Sequence, residues 1–154
     1  MKNERFCKAE SYERCLEEIM KKAKNKTVLE RMEIVCRVLK QNIPYFFWVG
    51  FYFPKESFLE LGPSMGPPAC DRIPFTGVCG QTAKSGKPII VPDVDKFPGH
   101  VICDPRSKSE IVIPMFSRTG EVTAVFDVDS ESLGSFDVRD QEWLGKILNE
   151  VFSV

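Results

Sequence analysis

The chain has 154 residues, of which 43% are hydrophobic and 28% charged, a composition typical of one globular domain over residues 1–154. Its net charge of −1 argues against a nucleic-acid-binding protein, which needs a basic surplus. The longest apolar run, residues 45–53, is too short to span a membrane, and residues 1–15 lack the apolar stretch of a secretion signal. We therefore expect a cytoplasmic protein that binds neither nucleic acid nor membrane.

Two N-terminal segments carry apolar residues at helical spacing. Residues 10–24 predict one amphipathic helix, and residues 28–39 predict a second helix that ends before Pro44. Cys15 and Cys36 lie on the apolar stripes of these helices, where a free thiol packs as a small hydrophobic side chain. We expect both cysteines to be core residues rather than reactive thiols.

From residue 45 onwards the pattern is typical of strands separated by turns. The segments that predict strands are residues 45–53, 57–61, 70–75, 88–91, 110–116 and 121–129, and a short helix is predicted from Gly77 to Gly86. The Gly- and Pro-rich residues 62–70 predict a loop between the second and third strands. Residues 92–108 predict another loop, and its length marks it as a candidate functional loop.

The last predicted element is a helix with apolar residues between Trp143 and Val151, capped by Ser135 or Asp137. The chain thus runs from two helices through three strands, a short helix, a strand and a long loop to a hairpin and a final helix. This order predicts an α+β domain in which helices pack on an antiparallel sheet.

The second strand of the hairpin places two carboxylates on one face of the sheet. Because side chains alternate along a strand, Asp127 and Asp129 share that face with Val125. They lie either on the solvent side of the sheet or on the floor of a pocket that binds a cation or supplies protons. Trp48 and Tyr52, four residues apart on the first strand, belong either to the aromatic core or to the wall of such a pocket.

Three further cysteines lie in the loop-rich middle of the chain. Cys79 follows a Gly-rich turn that enters a helix, an environment that lowers the pKa of a thiol. Cys103 lies in the long loop, where Arg106 and Lys108 favour its thiolate and Asp104 opposes it. Cys70 lies at the start of a predicted strand. The residues alone leave it open whether these thiols are redox-active or inert.

His100 and the same three cysteines are also potential zinc ligands. The sequence lacks the paired Cys-x-x-Cys spacing of structural zinc sites, and an isolated His-x-x-Cys pair is a weak signal. No phosphate-binding loop is present either, because Pro88 stands where such a loop needs Ser or Thr. We therefore predict no metal ion and no cofactor.

The middle of the chain contains, in order, the motifs WVGFY, GPSMGPPAC, GVCG, DVDKFPGHVICD, SEIVIP and FDVDS. In this order they closely resemble those of a known family, the free methionine-(R)-sulfoxide reductases, which are a catalytic group among GAF domains. The resemblance runs from about Trp48 to Phe136, and the flanking helices lie where a GAF domain has them. It implies a single GAF domain with terminal helices on one face of the sheet and a loop-covered pocket on the other.

The resemblance also implies a set of site residues. Cys70, Cys79 and Cys103 match the three cysteines of the family, and Trp48, Tyr52, Glu110, Asp127 and Asp129 match its pocket residues. Compared with the family pattern, the chain has one residue fewer between Cys70 and Cys79, which affects the reach of Cys79. It has one residue more between Glu110 and Asp127, within the hairpin turn.

The implied activity is reduction of free L-methionine-(R)-sulfoxide. Cys103 would attack the substrate sulfur, Cys70 or, as the second choice, Cys79 would form a disulfide with it, and thioredoxin would reduce that disulfide. Two of the three carboxylates would bind the substrate ammonium and the third would supply a proton. The sequence does not give the oligomeric state, but GAF domains commonly pair through their terminal helices, so a homodimer is one possible assembly. The alternative is a non-catalytic GAF module that binds a small ligand or senses redox state.

Overall fold

The computed structural model describes residues 7–153. Its elements are α1 (Lys8–Lys22), α2 (Val28–Asn42), β1 (Trp48–Pro54), β2 (Leu59–Met65), β3 (Arg72–Ile73), α3 (Val78–Ser85), β4 (Ile89–Val91), β5 (Ser109–Phe116), β6 (Val122–Ser130) and α4 (Val138–Phe152). The strands of these residues form one antiparallel sheet in the order β3-β2-β1-β6-β5-β4. The predicted α+β fold is confirmed. Within the same residues, no helix is long and apolar enough to cross a membrane.

The sheet separates two apolar layers because its strand residues point alternately to its two faces. Helices α1, α2 and α4 cover one face, where the core includes Ile19, Val35, Leu39, Phe51, Phe126, Leu144 and Ile147. Helix α3 and the long loop cover the other face, where the core includes Trp48, Tyr52, Val78, Val94, Val112 and Val125. Cys15 and Cys36 are each 1% exposed in the helical layer, as expected of core residues.

One of the predicted loops is partly a strand. The sequence analysis placed residues 62–70 in a loop, but β2 continues to Met65 because Ser64 and Met65 pair with β1. The pairing tolerates Pro63, which has no backbone N–H to donate, for two reasons. On the β1 side, the register shifts between Gly50 and Tyr52, opposite this part of β2. On the other side, β3 pairs only with the beginning of β2, so Pro63 lies on a free edge of the sheet. The strand predicted at residues 70–75 is correspondingly reduced to β3.

The start of α4 is fixed by Asp137, which is the second of the two predicted caps. Its side chain accepts a hydrogen bond from the backbone N–H of Arg139, and its own N–H donates to Asp140. The other predicted cap, Ser135, instead shares a hydrogen bond with Ser130 at the end of β6. The hydrogen bond between Ser135 and Ser130 therefore holds the segment before α4 next to the strand that carries the two aspartates.

Asp140 is a fully buried carboxylate whose side-chain donors come from two other parts of the chain. Tyr12 of α1 and Tyr45, between α2 and β1, donate to its Oδ1 atom at 2.7 and 2.5 Å. Lys8 of α1 donates to its Oδ2 atom at 2.6 Å. The charge is therefore compensated within the protein, and the contact ties α1 and the entry to β1 to the first turn of α4.

We predict that Asp140→Ala lowers the free energy of unfolding by about 3 kcal/mol, because removing one partner leaves the Lys8 ammonium group without its buried counter-charge. Urea denaturation measures the change. Glu142→Ala, an exposed change on the same helix, is the control and should shift stability by less than about 0.5 kcal/mol. Equal stability of the two variants would contradict the role assigned to Asp140.

Candidate active site

Neighbouring strands place three carboxylates side by side on the face opposite the terminal helices. Asp129 of β6 pairs with Trp48 of β1 on one side and with Glu110 of β5 on the other. Asp127 pairs with Gly50 of β1. Because directly paired residues of antiparallel strands point to the same face, all these side chains lie beneath α3 and the long loop. Of the two alternatives for the aspartates, the pocket floor is correct.

A cavity of about 50 Å³ lies between this part of the sheet, α3 and the long loop. Residues from all three surround it, including Trp48, Tyr52, Gly77, Val78, Cys79, His100, Val101, Cys103, Glu110, Asp127 and Asp129. Seven of the eight site residues that the sequence analysis proposed are among them, and the eighth, Cys70, is covalently attached to one of them. The structure therefore brings the predicted residues together at one small cavity.

A disulfide joins Cys70 to Cys103, with their Cα atoms 5.5 Å apart. It connects the segment between β2 and β3 to the long loop and thus lies across the cavity. The Tyr52 hydroxyl donates a hydrogen bond to the Cys70 carbonyl at 2.8 Å, so Tyr52 holds the segment as well as lining the cavity. Cys79, at the start of α3, remains a free thiol.

The indole ring of Trp48 forms one wall of the cavity because residue 50 is a glycine. A Cβ atom at Gly50 would lie 2.5 Å from the Trp48 ring and 2.7 Å from the Cβ atom of Ser64. Without that atom the indole lies along β1 and approaches Tyr52, with the ring centroids 6.0 Å apart. In the motif WVGFY, Trp48 and Tyr52 thus provide two aromatic rings that line the cavity, and the absence of a side chain at Gly50 leaves room for the indole ring to lie along β1.

Comparisons with known proteins agree with this architecture. A GAF-domain family model matches residues 25–151. GAF domain-containing protein A of Dictyostelium discoideum is 49% identical over 116 residues, which are 74% of this chain and 72% of that protein. The free methionine-R-sulfoxide reductase of Saccharomyces cerevisiae is 45% identical over 104 residues, 65% of this chain and 58% of that enzyme.

A solved structure extends the similarity to nearly the whole chain. The free methionine-R-sulfoxide reductase of Neisseria meningitidis, in complex with its substrate, superposes with a TM-score of 0.88 at 39% identity, covering 99% of this chain and 94% of that one. The chain belongs to the free methionine-R-sulfoxide reductases of the GAF-domain family. The resemblance found in the sequence motifs is thereby confirmed.

The carboxyl groups that line this cavity are not fully paired with other groups of the protein. Glu110 and Asp127 are each 5% exposed, and Oε1 of Glu110 and Oδ1 of Asp127 have no hydrogen-bond partner among the described residues. Burial and the charge of Asp129 raise the pKa of Asp127 to about 8. Burial, followed by the charge of a neighbouring carboxylate, raises the pKa of Glu110 and of Asp129 well above its usual range. The cavity therefore favours either protons or a cation.

His100 is a cavity residue that the sequence analysis had considered only as a metal ligand. Its Nε2 atom lies 3.8 Å from Oε1 of Glu110. Burial lowers the pKa of His100, so the imidazole is neutral near pH 7 and supplies no charge to Glu110. The sequence feature that could have identified His100 as a cavity residue is its position three residues before Cys103, in a loop already predicted to be functional.

One expectation about the cysteine environments is wrong. The pKa of Cys79 is raised well above its usual range, because burial and the carboxylates of Asp127 and Glu110 outweigh the helix N-terminus. The guanidinium group of Arg106 pairs with Asp104 at 2.8 Å, so the two charged neighbours expected to act on Cys103 bind each other. The correction at Cys79 could not come from local sequence, since it depends on carboxylates brought in by folding.

We predict that Asp127→Asn stabilises the oxidised protein at pH 8 and leaves stability at pH 4 nearly unchanged. The pKa of Asp127 is 3.8 in the unfolded chain and about 8 in the folded protein. At pH values between these two, folded Asp127 therefore holds a proton that the unfolded chain has released. Stability therefore falls as pH rises through this window. Since one pKa unit corresponds to about 1.4 kcal/mol, we expect a gain of at least that size at pH 8.

Urea denaturation of wild-type protein and Asp127→Asn at several pH values measures the effect. Glu121→Gln, on the exposed hairpin turn, removes a carboxylate without removing a buried charge and should leave the pH profile unchanged. Parallel profiles for wild type and Asp127→Asn would show that Asp127 does not hold its proton.

Proposed function

We propose that the protein reduces free L-methionine-(R)-sulfoxide to L-methionine. The proposal rests above all on one observation, that a sulfur redox pair and three carboxyl groups, two of them with a buried oxygen that lacks a partner, share one small cavity. Its support from relatives is that the reductase of Neisseria meningitidis, solved with its substrate, matches almost the full chain.

The carboxylates are suited to the ammonium group of a free amino acid. An ammonium group has three N–H donors, and Glu110 and Asp127 each present a buried oxygen that lacks a partner. Charge-assisted hydrogen bonds to such groups contribute roughly 1.5–3 kcal/mol each. The apolar ring of Trp48 lines the same cavity, and we assign to it the contact with the substrate methyl group.

The reaction we propose transfers the sulfoxide oxygen to Cys103. Its thiolate attacks the substrate sulfur, methionine leaves, and Cys103 becomes a sulfenic acid. The Cys70 thiol then attacks that sulfenic acid, water is released, and the disulfide forms. The bridge between Cys70 and Cys103 in the structure corresponds to the product of this second step and supports Cys70 over Cys79 as its partner.

Protonation of the departing oxygen requires an acid that still carries its proton at neutral pH. Ordinary carboxyl groups have released their protons by then. Asp127, with a pKa of about 8, retains one, and Glu110 and Asp129 have pKa values that are also raised. One of the three therefore supplies the proton while the other two bind the ammonium group.

Regeneration of the enzyme requires a dithiol, because the disulfide must be reduced before the next turnover. We propose thioredoxin as that reductant and the cytoplasm as the compartment, where such exchange operates on protein thiols. Pairing of two copies through the terminal helices stays a prediction.

We predict that Cys103→Ser abolishes turnover while the fold survives, because a hydroxyl group at neutral pH cannot replace a thiolate nucleophile. Cys70→Ser should release about one methionine per chain and then stop, since its sulfenic acid lacks a partner. Counting methionine in single-turnover reactions with reduced protein distinguishes the two variants.

The controls for this prediction are Cys36→Ala and Cys7→Ser, which change a buried core thiol and an exposed thiol far from the cavity. Both should turn over at the wild-type rate. If Cys79→Ser stops after one methionine and Cys70→Ser does not, the second thiol is Cys79 and the assignment made above is wrong.

We predict that N-acetyl-methionine sulfoxide is a very poor substrate compared with the free amino acid. Acylation removes the ammonium charge and leaves the carboxylates unpaired, a mismatch that costs up to about 10⁴-fold in kcat/KM. NADPH oxidation coupled through thioredoxin and thioredoxin reductase measures both substrates. Comparable kcat/KM values would contradict the role of the carboxylates, and no turnover of either substrate would favour a non-catalytic GAF module.

A further inference from the structure

The cavity floor contains one cluster that the proposed reaction does not explain. The Sγ atom of Cys79 and one carboxylate oxygen each from Glu110 and Asp127 lie within 4.8 Å of one another, and all three residues are buried. The reaction uses the carboxylates, but it assigns no step to the Cys79 thiol. A thiol held against two carboxylates is unusual for an ammonium site, since a thiol is a weak hydrogen-bond acceptor.

We propose that Cys79, Glu110 and Asp127 bind a thiophilic divalent cation of the Zn²⁺ class. The unpartnered oxygens point to such a ligand independently of the clustering, because Oε1 of Glu110 and Oδ1 of Asp127 are buried and have no hydrogen-bond partner among the described residues. A dication offsets two carboxylate charges at once. The ligand set of thiolate and carboxylates is one that Zn²⁺ accepts.

His100, on the long loop, is the candidate fourth ligand. It lies outside the cluster of three, so the loop must bring its ring closer to Cys79 or Asp127 for it to bind the ion. Zn²⁺ bond lengths of 2.0–2.3 Å imply that ligand atoms of a tetrahedral site lie about 3.3–3.8 Å apart. The Nε2 atom of His100 already lies 3.8 Å from Oε1 of Glu110, so this pair needs no rearrangement. The other ligand atoms, within 4.8 Å of one another, need to approach by at most about 1.5 Å.

The mixed ligand set determines which metals should bind. Thiolate and imidazole are ligands for Zn²⁺ and its softer relatives, whereas Mg²⁺ and Ca²⁺ prefer sites made of oxygen atoms alone. Binding converts the Cys79 thiol to a thiolate and releases its proton, together with any proton that Glu110 or Asp127 holds. We therefore expect Zn²⁺ and Cd²⁺ to bind and millimolar Mg²⁺ not to displace them.

Occupation of this site would make the metal an inhibitor of the reductase. Glu110 and Asp127 belong to the three groups that bind the substrate ammonium or supply the proton, so metal and substrate compete for the same oxygen atoms. This consequence rests on the proposed function, whereas metal binding itself rests only on the geometry. The test therefore measures binding in oxidised protein, where no turnover occurs.

Cadmium titration of the full, oxidised chain is the first experiment. The disulfide withdraws Cys70 and Cys103, so the ultraviolet absorption of a cadmium–thiolate bond reports only the remaining thiols. We expect one Cd²⁺ per chain, an absorption that is lost in Cys79→Ser and kept in Cys7→Ser and Cys36→Ser. Absence of the absorption, its persistence in Cys79→Ser or its loss in Cys7→Ser would overturn the proposal.

Zinc affinity, measured by competition with a chromogenic chelator, is the second experiment. Loss of a group that merely supports a metal ligand costs about 10–100-fold in affinity, so Glu110→Gln and His100→Gln should each weaken binding at least tenfold. The exposed change Glu121→Gln should leave affinity unchanged. Circular dichroism confirms that each variant is folded, and equal affinities for wild type and folded Glu110→Gln would overturn the site.

Discussion

The structure depends on a constraint set by the strand register, which brings three carboxylates together under one layer of helix and loop. The register fixes them, since Asp129 pairs with Glu110 on β5 and Asp127 lies two residues earlier on the same face. Burial, and after it the like charges of the neighbouring carboxyl groups, raises the pKa of all three. Proton supply, recognition of an ammonium group and attraction for metal ions are consequences of that arrangement.

Two buried aspartates on opposite sides of the sheet show how a structural carboxylate differs from a functional one. Asp140, in the helical layer, accepts hydrogen bonds from two tyrosines and a lysine, and all its partners belong to the protein. Asp127, in the cavity, has an oxygen with no partner among the described residues. Because an uncompensated buried charge is costly, Asp127 indicates a ligand, whereas Asp140 indicates only stability.

Period-two alternation in the sequence predicted that Asp127 and Asp129 share a face, but it could not say whether that face met water. The deciding layer consists of α3 and the long loop, which come from residues far away in the sequence. The same limit explains the error at Cys79, whose helix N-terminus was visible locally while its carboxylate neighbours were not. The strand at Gly62–Met65 was missed because its pairing with β1 outweighs the local turn preference of Gly and Pro.

The cavity divides its chemistry between rigid and adaptable parts of the fold. Its carboxylates lie on paired central strands, where backbone hydrogen bonds on both sides fix their spacing. Its bridged cysteines lie on connecting segments, tied to the sheet by the Tyr52 hydroxyl and to each other by the disulfide. Charge recognition requires a fixed spacing, whereas sulfur exchange requires one atom to meet successive partners. The strands thus hold the carboxyl groups that recognise the substrate at fixed positions, and the loops carry the sulfur atoms that must change bonding partners during the reaction.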